Sequence, residues 1–451
     1  MFTTTTRSTR RYLAVLAVAA TLTATACSAP GSDNSDGSGA KADSDVSTKL
    51  TDEKVTLDLY LETGFPIVEK LSKEFTRQHP NITFDIRSDQ FASLAENAPR
   101  VMAGDDAPDL IRLATIADSA DDGLLLDLDP YYEAYGWDEF PESQLEQMRV
   151  SDDGTRGSGP LYALGVGYSV TGVYYNKDIA ARIGMDEPPA TIDELEADMA
   201  EAKAAGEQPI MQFNDIGGAA FPFQALLNQY ADPAVVSDWI FQKPDATIDT
   251  PAAVEAATHI ADWAKKGYFP DDVNSVDYTT MVGRFAKNDG LFMFDGDWES
   301  ANLGKTMGDK VGFFLMPTEE AGGTPVAMGA PNTYIVPAKA EHPDEIAYFL
   351  NWIHTDEKAR QIVVDDSGAA PGGPASLPVP EVPETSLTHQ TLEAAATIGE
   401  SGVLVDFVAN ATSGIYANGI RPELQSLIDG RTSPEDAVKA IQAEYEADLS
   451  S

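Results

Sequence analysis

From residue 55 onward the chain alternates between two hydrophobic periods, and this alternation restricts the fold more than any other feature. In KVTLDLYLE, Val55, Leu57, Leu59 and Leu61 alternate with polar residues, the period of a half-buried strand. FPIVEKLSKEFTRQHP then places Val68, Leu71 and Phe75 at helical spacing and stops at Pro80. NITFDIRS returns to alternation through Ile82, Phe84 and Ile86. A crossover of this length predicts a parallel strand pair. APDLIRL reads as a further buried strand. TIDELEADMAEAKAAG carries a capping box of Thr191 and Glu194, sets Ile192, Leu195 and Met199 on one face, and stops at Gly206. QPIMQF reads as the strand that follows. HPDEIAYFLNWIHTDEKARQIV has Pro343 near a helix start, with Ile346, Phe349, Leu350 and Ile353 on one face. SPEDAVKAIQAEYEADL opens on Ser433 with Pro434 at the first helical position. Strands alternating with helices over the whole body predict an α/β fold.

The one cysteine, Cys27, sits between an apolar run and a Ser/Gly/Asp tract. Arg7, Arg10 and Arg11 precede YLAVLAVAATLTATA, which has the layout of a secretory signal over residues 1–26. That apolar run is too short for a comfortable membrane span. Small residues Ala24-Thr25-Ala26 before Cys27 resemble a lipobox, with Ala24 where a Leu is usual, so Cys27 is expected to be lipidated. The other reading is an ordinary secreted protein with Cys27 idle. Residues 27–51 are nearly devoid of apolar side chains and read as a flexible tether. A lone thiol forms no internal disulfide, so the fold must rest on its core.

The chain is formally −43; removing residues 1–26, with three Arg and no acid, takes it to −46. Such a charge repels nucleic acid and anionic lipid alike. It reads as a solvating acidic surface. The five His show no metal-ligand spacing, and no H-E-x-x-H or phosphate loop occurs. GYSVTG is one residue too long for a nucleophile elbow, and Val170 stands where a dinucleotide loop needs Gly. Asp295, Asp297 and Glu299 alternate in DGDWE, but the longer calcium-loop pattern around them is absent. The expectation is a binder, not an enzyme, without cofactor, metal or catalytic residues.

LYALGVGYSVTGVYYNKDIAARIGMDEPPATIDELEADMAEAKAAGEQPI (161–210) resembles the middle block of the extracellular solute-binding proteins of ABC sugar importers. APDLIRL, LLLDLDPYY, FAKNDGLFMFDGDWESANL, VGFFLMP, APNTYIVPAKAEHPDEIAYFLNWIHTDEKARQIV and RPELQSLIDGRTSPEDAVKAIQ are further matches, and the set stands in the expected order along the chain. The resemblance implies a periplasmic-binding-protein-like fold, two α/β lobes with several crossovers and a central ligand cleft. Lobe 1 would comprise 52–170 plus 329–375 and lobe 2 would comprise 171–328 plus 376–451. It also implies a carbohydrate ligand, ABC permease subunits as partners, a monomer, and a place on the extracellular face of a bacterial membrane. An exported carbohydrate-active hydrolase, a receptor for a non-sugar solute and a surface adhesin are the rival readings.

A sugar needs polar groups in its ring plane and an aromatic ring over its face. In α/β lobes these stand at carboxyl ends of strands. That rule selects Glu62, Thr63 and Phe65 after the first strand, Arg112 and Thr115 past PDLI, Tyr168 at the first crossover, and Asn214 with Asp215 after PIMQF. In DGDW, the resemblance implies that Trp298 stacks on the sugar, with Asp297 near hydroxyls and Gly296 allowing a tight turn. Asn332 and Tyr416 complete the set. Trp137, Trp239, Trp263 and Trp352 lie on helix-like stretches and are expected to pack.

Overall fold

A computed structural model describes residues 46–374 and 376–450. The expected signal, Cys27, most of the tether and the centre of the crossover near residue 375 lie outside the described residues.

The opening strand, Val55–Glu62, pairs in parallel with Ile82–Asp89 from Val55↔Ile82 to Glu62↔Asp89. The intervening helix Ile67–Gln78 buries Ile67, Val68, Leu71 and Phe75, the face its spacing predicts. Leu110–Arg112 adds on the other side of the opening strand, again in parallel. It meets Val326–Ile335 antiparallel through Ile111↔Ile335 and Arg112↔Tyr334.

Two strands then belong to both halves of the molecule. Ala163–Asn176 lies antiparallel to Val326–Ile335 from Ala163↔Ile335 to Val170↔Gly329, with a register shift between Gly165 and Tyr168. Past Val170 the long strand changes partners. Thr171–Tyr175 face Phe292–Gly296, and Val173–Asn176 face Val311–Phe314. At the far end of the other strand, Val326–Met328 pair in parallel with Val403–Val405.

The buried side chains divide along the same line. One core gathers Leu57, Phe75, Leu110, Leu164, Ile335 and Phe349. Another gathers Val173, Trp239, Trp263, Phe292, Val326 and Ile441, with an adjoining cluster around Tyr174, Met211 and Phe285. Each crossing strand thus contributes to both cores, and the architecture is two-lobed α/β. Trp137, Trp239 and Trp263 are fully buried and Trp352 nearly so. Trp239 stacks on Tyr445 at 4.6 Å and donates its indole N–H to Gln442 Oε1.

Local signals act largely as their chemistry requires. Thr191 Oγ1 accepts from Glu194 N, while Glu194 Oε2 accepts from Ala190 N, so the box closes one residue further out. Two expectations need correction. QPIMQF forms no strand, only a parallel bridge between Ile210 and Phe292. Met211 N donates to Phe292 O and Phe292 N to Pro209 O, but at the next rung Phe294 O accepts from the Gln212 side chain, and the ladder stops. The HPDEI segment forms two helices, Pro343–Thr355 and Glu357–Ser367. Asp356 separates them because its carboxylate accepts from Ala359 N and caps the second.

The crossing strands approach too closely for side chains at certain points. A Cβ at Gly329 would stand 2.3 Å from Ser169 O and 2.6 Å from Leu404 Cδ1. Gly329→Ala should therefore lower stability by about 1–3 kcal/mol, the usual penalty for overpacking. Chemical denaturation checks this; an unchanged midpoint would mean that the strands separate here without cost.

Candidate ligand-binding site

Three strands end on polar residues that converge on the crossing strands. Glu62 closes the first strand and Arg112 the third, and Glu62 Oε2 stands 3.8 Å from Arg112 Nε. Burial pushes the Glu62 carboxyl up, and Arg112 draws it part of the way back. Arg112 Nη1 also donates to Thr333 O at 3.1 Å, and its guanidinium lies 5.9 Å from the centre of the Tyr334 ring. Asn332, next to Thr333, points its amide toward Ser169 Oγ at 3.4 Å. Val170 N, one residue further, donates to Asp297 Oδ2 at 3.0 Å. A run of polar groups thus passes from Glu62, across both crossing strands, to the end of Phe292–Gly296. Asp297 itself is fully buried, which drives its carboxyl well above the ordinary range.

Trp298 is half-buried and forms a triangle with two other half-buried rings. Its centroid is 6.1 Å from Phe221 and 6.3 Å from Phe407, and Phe221 and Phe407 are 6.2 Å apart. The indole N–H donates to Tyr278 Oη at 2.7 Å. That hydroxyl also contacts Asp295 Oδ2 at 3.0 Å and Glu299 Oε1 at 2.8 Å. Gly296 is needed for a reason other than the tight turn expected from the sequence. Its backbone is extended, with φ −100° and ψ 170°, but a Cβ there would lie 2.0 Å from the indole.

The remaining selected residues fall into separate groups. Burial pushes both Asp215 and Tyr416 up; the Asp215 charge adds to the rise at Tyr416, and Arg421 opposes it at both. Asn214 is fully buried; its amide donates to Asn274 and its carbonyl accepts from Ala219 N, so it shapes its own loop. Tyr168 directs its hydroxyl to the Gln144 carbonyl in the interior. Thr63 N donates to Asp89 O, extending the parallel ladder, and Phe65 is exposed. Thr115 lines a small hollow with Arg156, Asn410 and Thr412.

Phe221, Phe407 and Tyr278 are absent from the residues the sequence singled out. The carboxyl-end rule reaches Phe407 if applied to GVLVDF, since Val403–Val405 is a strand. Phe221 opens the helix Ala220–Tyr230 just after two glycines, and only its proximity to Trp298 gives it significance.

Arg156 was missed as well. It joins the two halves through a fully buried ion pair with Asp406, Nη2 to Oδ2 at 2.7 Å. The guanidinium also donates to Gln147 O at 2.9 Å and Asn410 O at 3.2 Å, and lies 5.2 Å from the Phe241 ring. Asp406 Oδ1 accepts from Phe407 N at 2.7 Å and Asn410 Nδ2 at 2.8 Å. One arm of this network therefore fixes the backbone that carries Phe407.

Two strands shared by two lobes, with rings and polar groups where they meet, define a solute-binding architecture. The sequence signature of the bacterial extracellular solute-binding proteins matches residues 61–360, and the chain belongs to that family. Proteins of Brucella abortus strain 2308 and Brucella suis biovar 1 strain 1330, named as binding proteins, are 27% identical to it over 213 residues. That match covers 45% of this chain and 48% of theirs, so the chain spans about half the length of the curated relatives it matches. Among solved structures, a chitin oligosaccharide binding protein aligns with a TM-score of 0.74 at 20% identity, over 88% of this chain and 100% of that one. A maltose-bound T. maritima protein aligns with a TM-score of 0.70 at 19% identity, over 87% and 99%. A solute-binding protein in complex with raffinose gives 0.67 at 19%, over 87% and 99%. At these identities the solved structures establish the fold.

Removing one partner of a buried ion pair strands the other charge. Arg156→Met should cost about 3–5 kcal/mol in chemical denaturation, and adding Asp406→Asn should return part of it. A single variant as stable as the parent would mean that solvent reaches Asp406 readily.

Proposed function

We propose that this protein is the substrate-capturing component of an ABC importer, that its ligand is a mono- or oligosaccharide, and that it performs no chemistry on it. The observation that carries the reading is the triangle of Phe221, Trp298 and Phe407. Sugars offer flat C–H faces to rings and hydroxyls to polar groups at the edges. Three mutually supporting, partly exposed rings, with Glu299 next to Trp298 in sequence and the Glu62–Arg112 pair at the other end of the polar run that reaches Asp297, supply both. The ligands named for the chitin oligosaccharide, maltose and raffinose proteins favour the same class.

In this reading the lobes, 52–170 plus 329–375 and 171–328 plus 376–451, close over the ligand by bending the crossing strands. The ligand favours closure only by its better contacts in the closed state. The closed form is what permease subunits would recognise. Glu62, Thr63, Phe65, Arg112 and Thr115 would approach from lobe 1. Asp215, Asp297, Trp298 and Tyr416 would approach from lobe 2, with Tyr168 and Asn332 at the crossing and Asn214 holding the Asp215 loop. Cys27 would be acylated and hold the monomer at the outer membrane face on its tether, raising its concentration near the permease. A Cys27→Ser variant released from the membrane fraction of the producing cells would support the anchor; one still retained there would remove it.

Calorimetry against a sugar panel should give micromolar or tighter binding, about −8 kcal/mol or better. Trp298→Ala and Phe407→Ala should each cost about 1–3 kcal/mol of affinity while leaving the protein folded. Binding of a peptide or polyamine instead of any sugar would refute the substrate class. New reducing ends appearing on incubation with glycans would mark a hydrolase.

A further inference from the structure

The hydroxyl of Tyr278 has more polar neighbours than its own proton can serve. A phenol has one proton to donate and two lone pairs to receive. Trp298 Nε1, at 2.7 Å, can only donate and occupies one lone pair. Two carboxyls remain, Glu299 Oε1 at 2.8 Å and Asp295 Oδ2 at 3.0 Å. The hydroxyl proton can go to one of them. The other contact is favourable only if the carboxyl supplies a proton of its own.

We propose that Asp295 carries that proton at neutral pH and donates it to Tyr278, which donates in turn to Glu299, and that this relay fixes Trp298 in its ligand-stacking position. Asp295 and Tyr278 are then positioning residues. The proposal rests on the reading that Trp298 touches the ligand.

The proton belongs on Asp295 and not on Glu299. Asp295 is fully buried, and its Oδ1 already accepts from Gly296 N at 2.9 Å. Glu299 is only half-buried, and its second oxygen accepts from Asn302 Nδ2 at 2.8 Å, so solvent and an amide donor support its charged form. Among the described residues, the groups facing Asp295 offer no counter-charge. On its own segment these are Glu299 and Asp297, both acids, and from the helix Tyr278–Phe285 the facing group is Tyr278. The crossing strand contributes Tyr174, whose hydroxyl is engaged with Gly296 O at 2.8 Å. Phe213 packs edge-on against Tyr278 at 5.4 Å. Burial first, and then Glu299, pushes the Asp295 carboxyl well above the ordinary carboxylate range, in agreement with the count of donors. A carboxyl raised in this way stabilises the fold fully at low pH, and that contribution is lost as pH rises through its folded value.

Nuclear magnetic resonance of the ligand-free protein tests the relay. The Asp295 side-chain carboxyl is assigned by its loss in Asp295→Asn, and the Trp298 indole N–H by its loss in Trp298→Phe. At pH 7 the Asp295 carboxyl should resonate among protonated carboxyls. If it titrates below pH 10, the indole signal should move in the same transition; if it stays protonated, the indole should stay fixed, and either result supports the relay. Asp295→Asn, whose amide can donate to Tyr278 while its carbonyl accepts from Gly296, should hold the indole signal at the low-pH position throughout. Tyr278→Phe should shift it at every pH. An ionised Asp295 at pH 7, or an indole indifferent to Tyr278→Phe, overturns the proposal. With maltose, raffinose and a chitin oligosaccharide as probes, Tyr278→Phe should weaken binding about five- to ten-fold, the scale of one hydrogen bond, and Asp295→Asn should not. A resonance result as expected with sugar binding unmoved by Tyr278→Phe would leave the relay standing and remove Trp298 from the ligand.

Discussion

The antiparallel pairing of Ala163–Asn176 with Val326–Ile335 is the constraint on which the rest of the molecule depends. Each strand enters one core, leaves it, and finishes in the other, so neither lobe can be completed without backbone that the other also uses. Hydrogen bonds along a ladder resist shear far more than they resist twist. In the proposed reading, any motion between the lobes has to bend these two adjacent strands, where a few residues would absorb the change in dihedral angles. The register shift between Gly165 and Tyr168 lies in this segment, and irregularities of that kind bend a strand and sharpen its twist. Gly329 and Gly172 permit backbones to touch where a Cβ would collide. The same contacts that make the crossing compact make it intolerant of bulk.

Placing polar side chains on such a crossing has an electrostatic consequence. The chain is strongly acidic, yet its buried acids are handled one by one. Asp406 has a guanidinium at 2.7 Å and further donors on its other oxygen. Asp297 takes a backbone N–H from Val170 on the crossing strand. Glu62 shares a largely buried location with Arg112. Burial raises carboxyl groups unless charge or hydrogen bonds compensate, so each acid behaves according to its own neighbours. Surface acids remain solvated and contribute to the net charge without shaping the site.

Much of this was legible in the sequence, and the reason is locality. The strand at Val55, the helix after it, the cap at Thr191 and the helix from Pro434 are written in residues within a few positions of each other, where period and capping chemistry operate. Glu62 and Arg112 emerged from the same logic, because each ends a readable strand. QPIMQF forms only a bridge because an apolar run does not state where its ladder ends; the Gln212 side chain meets Phe294 O at the next rung. The helix break at Asp356 was available in principle, since Asp followed three residues later by Ala359 is a capping arrangement. Gly296 was selected for the wrong cause: its dihedrals are ordinary, and the indole packed on it excludes any side chain.

The aromatic triangle was only one-third legible, and the physics explains the fraction. Trp298 follows a short apolar strand, and its stacking role is what the family resemblance implies. Phe407 follows another strand but also carries the look of a packing residue, and Phe221 lies on a helix where an aromatic side chain is ordinarily core. What sets these three apart is that they meet while remaining partly exposed, a property of the folded surface that no local pattern encodes. Their supports are equally distant: Asp406 N-terminal to Phe407 is held by Arg156, and Trp298 is held by Tyr278. Trp298 and Phe407 are thus each positioned by a polar partner that binds the indole edge or the neighbouring backbone, while Phe221 is placed by its helix. In the proposed reading that arrangement matters, because a polar group placed over a ring face would have to be displaced before the C–H face of a sugar could settle there.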